Sequence, residues 1–135
     1  MTWRSSFAIA VALNVTLAIG GMALITSKHV SAAGAQTSFS KDVLPIFRDN
    51  CTSCHQPGAD GYEKSGLDLR NYDGVMAGTK YGPIIIAGNS EASNLMWLLD
   101  WRASPQLRMP HGKGQLPIKF RDTIRRWIHE GAKNN

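Results

Sequence analysis

The spacing of apolar side chains changes several times along this chain, and each change marks an element. From Phe7 to Ile25 the apolar run is nearly unbroken, interrupted by Asn14 and Thr16. Beyond Gln36 the pattern turns periodic. Phe39, Val43, Ile46 and Phe47 fall at i, i+4, i+7 and i+8, which places them on one helical face and predicts a helix over Ser38 to Asn50. Ser40 is its expected N-cap, and Asp42 lies in the first turn, where a carboxylate favours the helix dipole. Pro45 falls too deep for the preferred first position and should bend or tighten this helix. Gln56 to Lys64 is polar and glycine-rich, with Pro57-Gly58 marking a turn, and is expected to be a loop. Leu67 and Leu69 alternate with Asp68 and Arg70, but over too short a stretch for a strand.

Asn71 to Gly78 predicts a short helix weakened by Gly74 and Gly78, with Tyr72, Val75 and Met76 as core residues. Ile84-Ile85-Ile86 is one isolated β-branched run and cannot build a sheet alone, so it is expected to be extended. Glu91 to Trp101 reads as the next helix, with Ser90 or Asn89 as N-cap and Leu95, Leu98 and Leu99 inward. Trp97 and Trp101, four apart, would be neighbours on it, the core being their simplest role. Ser104 to Pro117 is hostile to helix, holding Pro105, Pro110, Gly112, Gly114 and Pro117. Ile118 to Gly131 closes the chain as an amphipathic helix with Phe120, Ile124, Trp127 and Ile128 on its apolar face. In that register Arg121, Arg125 and Arg126 face solvent, and His129 is expected at the surface. The pattern predicts a small all-α protein of about four short helices and loops.

The apolar run before Gln36 changes the domain count. Arg4 precedes it, and two A-x-A-like sites, Val30-Ser31-Ala32 and Ala33-Gly34-Ala35, follow it. At 19 residues from Phe7 to Ile25 the run exceeds an ordinary signal core and nears the length of a membrane span. Residues 1–35 are therefore expected to be a signal peptide or an N-terminal membrane anchor through 7–25, and 36–135 one folded domain. In either case the positive end stays inside and the rest is exported. Net charge is +5, but the folded part holds 13 basic against 10 acidic side chains, a difference of +3 spread along the chain. No basic run points to nucleic acid. The excess would steer encounter toward an acidic partner.

Both cysteines of the chain fall in Cys51-Thr52-Ser53-Cys54-His55, a CxxCH sequence. Two thiols at this spacing can each form a thioether to one vinyl group of a porphyrin, with the next residue beneath the iron; this is the c-type haem attachment pattern, with His55 as proximal ligand. A thioredoxin-like disulfide would need a βαβ context, which the pattern does not predict. A zinc site would have to draw on Cys51, Cys54, His55, His111 or His129 without a second CxxC. In the irregular stretch further on, Met109 is explained by no helical stripe. Its soft thioether suits haem iron, Pro110 stiffens the backbone beyond it, and His111 is the competing ligand.

Taken in order, Asp42-Val43-Leu44-Pro45-Ile46-Phe47, CxxCH at 51–55, Gly66-Leu67-Asp68-Leu69, Arg108-Met109-Pro110 and Ile124-Arg125-Arg126-Trp127-Ile128 resemble a class I cytochrome c domain. The resemblance is closest to the planctomycete-type branch and covers nearly all of Phe39 to Lys133. It implies a class I cytochrome c fold wrapped around one covalent haem c. Cys51 and Cys54 would hold it, with His55 proximal and Met109 distal. It implies an electron-transfer protein rather than an enzyme, monomeric by size, in the periplasm or on the outer face of the inner membrane, exchanging electrons with redox proteins whose docking surfaces are acidic. His111 stands where the family usually has a proline or small residue, which leaves His/His ligation open. The rival reading is a haem enzyme or ligand-binding domain with an open or displaceable distal site; no further catalytic constellation accompanies it.

Overall fold

Pro45 has no N–H to give and its ring crowds the carbonyl four residues back, so a regular α-helix cannot run through it from Ser38. The computed structural model, which describes residues 34–135, resolves the conflict with a wider turn. Phe39–Val43 is a π-helical turn, in which Val43 N–H reaches the Ser38 carbonyl at 3.2 Å. The α-helical register then begins at α1, Leu44–Asn50, with Pro45 in its first turn. The cap is Ser38 rather than Ser40: its hydroxyl accepts from Lys41 N–H at 3.2 Å. The apolar run 7–25 and the cleavage site ending at Ala32 lie outside the described residues.

Four more helices follow: α2, Asp60–Ser65; α3, Tyr72–Ala77; α4, Asn94–Leu99; and α5, Ile118–His129, with a 3₁₀ turn at Pro105–Leu107. Among the described residues there is no strand, only an isolated bridge between Thr79 and Gly82, so the fold is all-α. The segment expected to be a loop therefore contains α2, which ends at Gly66 in the left-handed conformation (φ 74°). Asn71 caps α3 as its spacing suggests, accepting from Gly74 N–H at 2.8 Å.

Helix α4 is shorter than predicted at both ends. Residues 89–92 are held in a turn in which Asn89 Oδ1 accepts from Ala92 N–H at 3.0 Å. The fully buried Ser93 hydroxyl donates to the Asn89 carbonyl at 2.8 Å and accepts from Ile86 N–H at 2.9 Å. Leu95 N–H, at the helix start, donates to the Ile84 carbonyl at 3.0 Å. These bonds supply partners to the isoleucine run without any sheet, and Ile84 and Ile85 are buried. Within α4, Met96 is fully buried while Leu98 is only half-buried, which moves the inner face toward Leu95, Met96 and Leu99.

The core joins the two ends of the domain. Phe39 meets both Tyr72 and Trp127 at ring-centroid distances of 5.3 Å, and Ile124, Trp127 and Ile128 are buried as the period of α5 predicts. Tyr72 also donates its hydroxyl to the Ala132 carbonyl at 2.8 Å. Val75 is buried and Met76 packs on the same core. Arg121 and Arg125 do not face solvent as the period implies: they turn to Asp100 at the end of α4, and only Arg126 is exposed.

Candidate haem site

The CxxCH sequence forms a tight turn off the end of α1. The Phe47 carbonyl accepts from Cys51 and Thr52 N–H at 2.8 and 3.0 Å, and the Cys51 carbonyl accepts from Cys54 and His55 N–H, each at 3.0 Å. Cys51 lies half-buried against the core while Cys54 is exposed, and both thiols are free. Two neighbouring segments fix the turn from outside. Tyr62 N–H of α2 donates to the Cys54 carbonyl at 2.9 Å, and Leu69 N–H donates to the His55 carbonyl at 3.0 Å.

Gly61 is what allows α2 to come this close. A Cβ there would stand 2.7 Å from the Cys54 carbonyl oxygen and 3.1 Å from His55 Cε1. Sequence reasoning passed over this residue because a glycine in a polar stretch reads as a loop marker. The signal that could have found it is charge order, with Asp60 and Glu63 in the first turn and Lys64 in the last, as a helix dipole favours.

Burial sets the protonation of the turn. It pushes the Cys51 thiol up to about 11, against a smaller downward pull from the Lys113 ammonium. Burial also lowers the basicity of His55, partly offset by the Leu67 backbone carbonyl. His55 Nδ1 is buried with no acceptor in hydrogen-bonding geometry, although the Leu67 carbonyl is near enough to act on the ring. A neutral imidazole is the form that offers a lone pair to a metal.

Met109 is half-buried and packs on the core, whereas His111 two residues on is exposed. Its peptide is held on both sides: Met109 N–H donates to the Leu98 carbonyl at 3.2 Å, and the Met109 carbonyl accepts from Trp101 Nε1 at 3.0 Å. Met109 and Cys51 both pack on the one hydrophobic core of the domain. The two tryptophans thus differ from the expected core pair. Trp97 is 45 % exposed and donates to the Glu91 carbonyl, while Trp101 serves the methionine loop.

These donors fit a c-type haem. Two unpaired thiols at the attachment spacing, an imidazole whose buried nitrogen lacks a partner and a half-buried thioether packed on the same core as Cys51 are the donor types such a haem takes. Among the described residues no group of three His, Cys, Asp or Glu side chains is placed to hold a metal ion, so the zinc alternative has no ligand set there. Two surface grooves open on the domain, the first of them bordering the CxxCH turn at Thr52. One of about 300 Å³ runs between Leu44, Arg48, Thr52 and Arg70. Another of about 400 Å³ lies between Thr37, Ile46, Phe120 and Arg126.

Residues 51–111 match the family model for planctomycete cytochrome C. The matched stretch opens on Cys51 and closes just past Met109-Pro110. No curated protein and no solved structure gives a match to the chain.

Proposed function

We propose that this is a cytochrome c haem protein and an exported carrier of single electrons, a reading supported by the match of residues 51–111 to the family model for planctomycete cytochrome C. The site has one covalent haem c on Cys51 and Cys54, His55 as proximal ligand and Met109 as distal ligand. What carries this reading is that the family-matched stretch contains both a CxxCH turn with free thiols and a methionine pinned at each side of its own peptide. Haem supplies a one-electron Fe(III)/Fe(II) couple.

The chain's own residues do the rest. Cys51 and Cys54 would hold the porphyrin covalently through the hydrogen-bonded turn at the end of α1. His55, whose basicity burial lowers, would present its imidazole, and the Leu67 carbonyl would have to close on Nδ1 to fix the tautomer. Met109 is a weak thioether donor, and such a ligand favours Fe(II) over what a second imidazole would give. His55 and Met109 together would occupy the iron, leaving no place for oxygen or substrate, which would separate a carrier from a haem enzyme. The all-α scaffold would wrap the group as in class I cytochromes c. The excess of +3 over residues 36–135 favours redox proteins with acidic docking surfaces, met at a rate that falls as salt rises.

Oxidised and reduced visible spectra of the mature protein test the assignment. The expected result is a low-spin haem whose pigment survives acid acetone, with a far-red iron–sulfur band in the oxidised form. H55A should lose the normal low-spin spectrum, and M109A the far-red band together with a fall in potential. A wild type without that band, or an M109A protein that keeps it, would shift the distal role to His111. Rapid stoichiometric binding of cyanide by the oxidised wild type would support the open-site alternative.

A further inference from the structure

The end of α4 has the bond pattern of a Schellman cap: Arg102 N–H donates to the Trp97 carbonyl at 3.0 Å and Trp101 N–H to the Leu98 carbonyl at 3.3 Å. Such a cap puts one residue in the left-handed conformation, and glycine is the usual choice because a Cβ there clashes with the following carbonyl. Here the residue is Trp101, at φ 59°. A bulky aromatic in that conformation is an outlier whose cause has to be sought in what the side chain does.

What it does is reach the methionine loop. Placed by the left-handed turn, the indole Nε1–H donates to the Met109 carbonyl at 3.0 Å, and the Arg108 guanidinium lies over its ring at 5.3 Å. The Leu98 carbonyl that accepts from Trp101 N–H also accepts from Met109 N–H, at 3.2 Å. The same capping turn therefore grips Met109 at both its N–H and its C=O. Trp97, four residues earlier, has no share in this: it stands half-exposed and donates to Glu91.

We infer that Trp101 is a positioning residue for the iron, holding the Met109 peptide so that the thioether stays seated against competing ligands. This rests on the proposal that Met109 is the distal ligand. A methionine anchored at both ends of its peptide must break those bonds, or swing its side chain alone, before an outside ligand can replace it. Removing one anchor should make replacement easier without altering the sulfur itself.

The test uses full-length holoprotein and imidazole as the competing ligand. Presence of the far-red band in oxidised wild type and its loss in M109A establish the premise; any other result overturns the ligand assignment itself. With that settled, W101F keeps an aromatic ring but has no N–H to donate. Imidazole should bind oxidised W101F about five- to tenfold more tightly than wild type, the size of effect expected for one lost hydrogen bond, while W97F should match wild type. Equal imidazole affinity in W101F and wild type overturns the role of Trp101 and leaves Met109 as ligand. Should W101F fail to mature, the wild type supplies the answer through hydrogen exchange of the Trp101 indole proton. It should quicken when saturating imidazole displaces the methionine, and an exchange rate unmoved by imidazole overturns the inference.

Discussion

Arg125 donates to both carboxylate oxygens of Asp100, at 2.8 and 2.7 Å, tying the last helix to the end of α4. Arg121 adds a bond of 2.7 Å to the same carboxylate, and all three side chains are largely shielded from solvent. Burial by itself would push the Asp100 carboxyl up, but the hydrogen bonds and charges of Arg125 and Arg121 outweigh it and hold it below the ordinary carboxylate value. A carboxyl depressed in the folded state stabilises the fold above its unfolded value near about 4, and that contribution is lost as pH falls through the folded value. D100N should therefore unfold about 2–3 kcal/mol more easily at pH 7, since two guanidinium groups lose their charged acceptor. Urea titrations of wild type and D100N across the acid range check this. The gap between them should narrow as pH falls below about 4, and a gap that does not narrow would place its origin elsewhere.

Gly61 offers a second test, because it is tight for a reason that no charge effect can relieve. An alanine there would drive its Cβ to 2.7 Å from the Cys54 carbonyl oxygen, which is backbone and cannot swing away. Either α2 moves off or the CxxCH turn shifts. G61A should lose about 1–3 kcal/mol of stability and should accumulate less haem-loaded protein, measured as haem absorbance per mole of chain. Gly114 is the control: nothing lies within 4 Å of its would-be Cβ and its backbone is not left-handed. G114A should stay within about 0.5 kcal/mol of wild type.

What could be read before the structure was chemistry carried by consecutive residues and periods sustained over three turns. CxxCH needs no fold to be recognised, and Phe120, Ile124, Trp127 and Ile128 announce α5 by spacing alone. What could not be read has distant causes. Helix α2 exists in a glycine-rich stretch because Gly61 and Tyr62 meet Cys54, a tertiary contact. The carboxylate that turns Arg121 and Arg125 from solvent lies 21 and 25 residues back in the chain. Trp101 continues a helical stripe on paper, yet it sits in a left-handed cap that propensity assigns to glycine. Pro45 did announce a distortion, but spacing alone does not separate a bend from the wider π turn found over Phe39–Val43.

The anchoring of Phe39 is itself measurable. Its ring is 2 % exposed and touches Tyr72 edge-on and Trp127, so it joins the first turn of the domain to α3 and α5. Its N–H also donates to Asn135 Oδ1 at 2.8 Å. F39A should cost about 3–5 kcal/mol, the range for truncating a buried aromatic, and should change the near-ultraviolet signal of Trp127. Ile118, 58 % exposed at the start of α5, is the contrast. I118A should shift the denaturation midpoint by no more than about 0.5 kcal/mol.

The bonds made by Thr37 and Ser38 also bear on where the proposed export cut can fall. Thr37 is buried and its N–H donates to Glu130 Oε2 at 2.7 Å, while the Ser38 hydroxyl donates to the Asn135 carbonyl at 2.8 Å. Residues from Thr37 onward are thus built into the contact with α5 and the chain end, whereas Gly34 to Gln36 are exposed. Cleavage after Ala35 spares every one of these bonds and leaves a charged α-amino group one residue from the first of them. Under the proposed export, the cut protein should begin at Ala33 or Gln36 and not beyond Thr37, as read by N-terminal sequencing or intact mass. A chain that still carries Phe7 to Ile25 would instead mark a tethered relay, and a start within 38–40 would contradict the role given to Thr37 and Ser38.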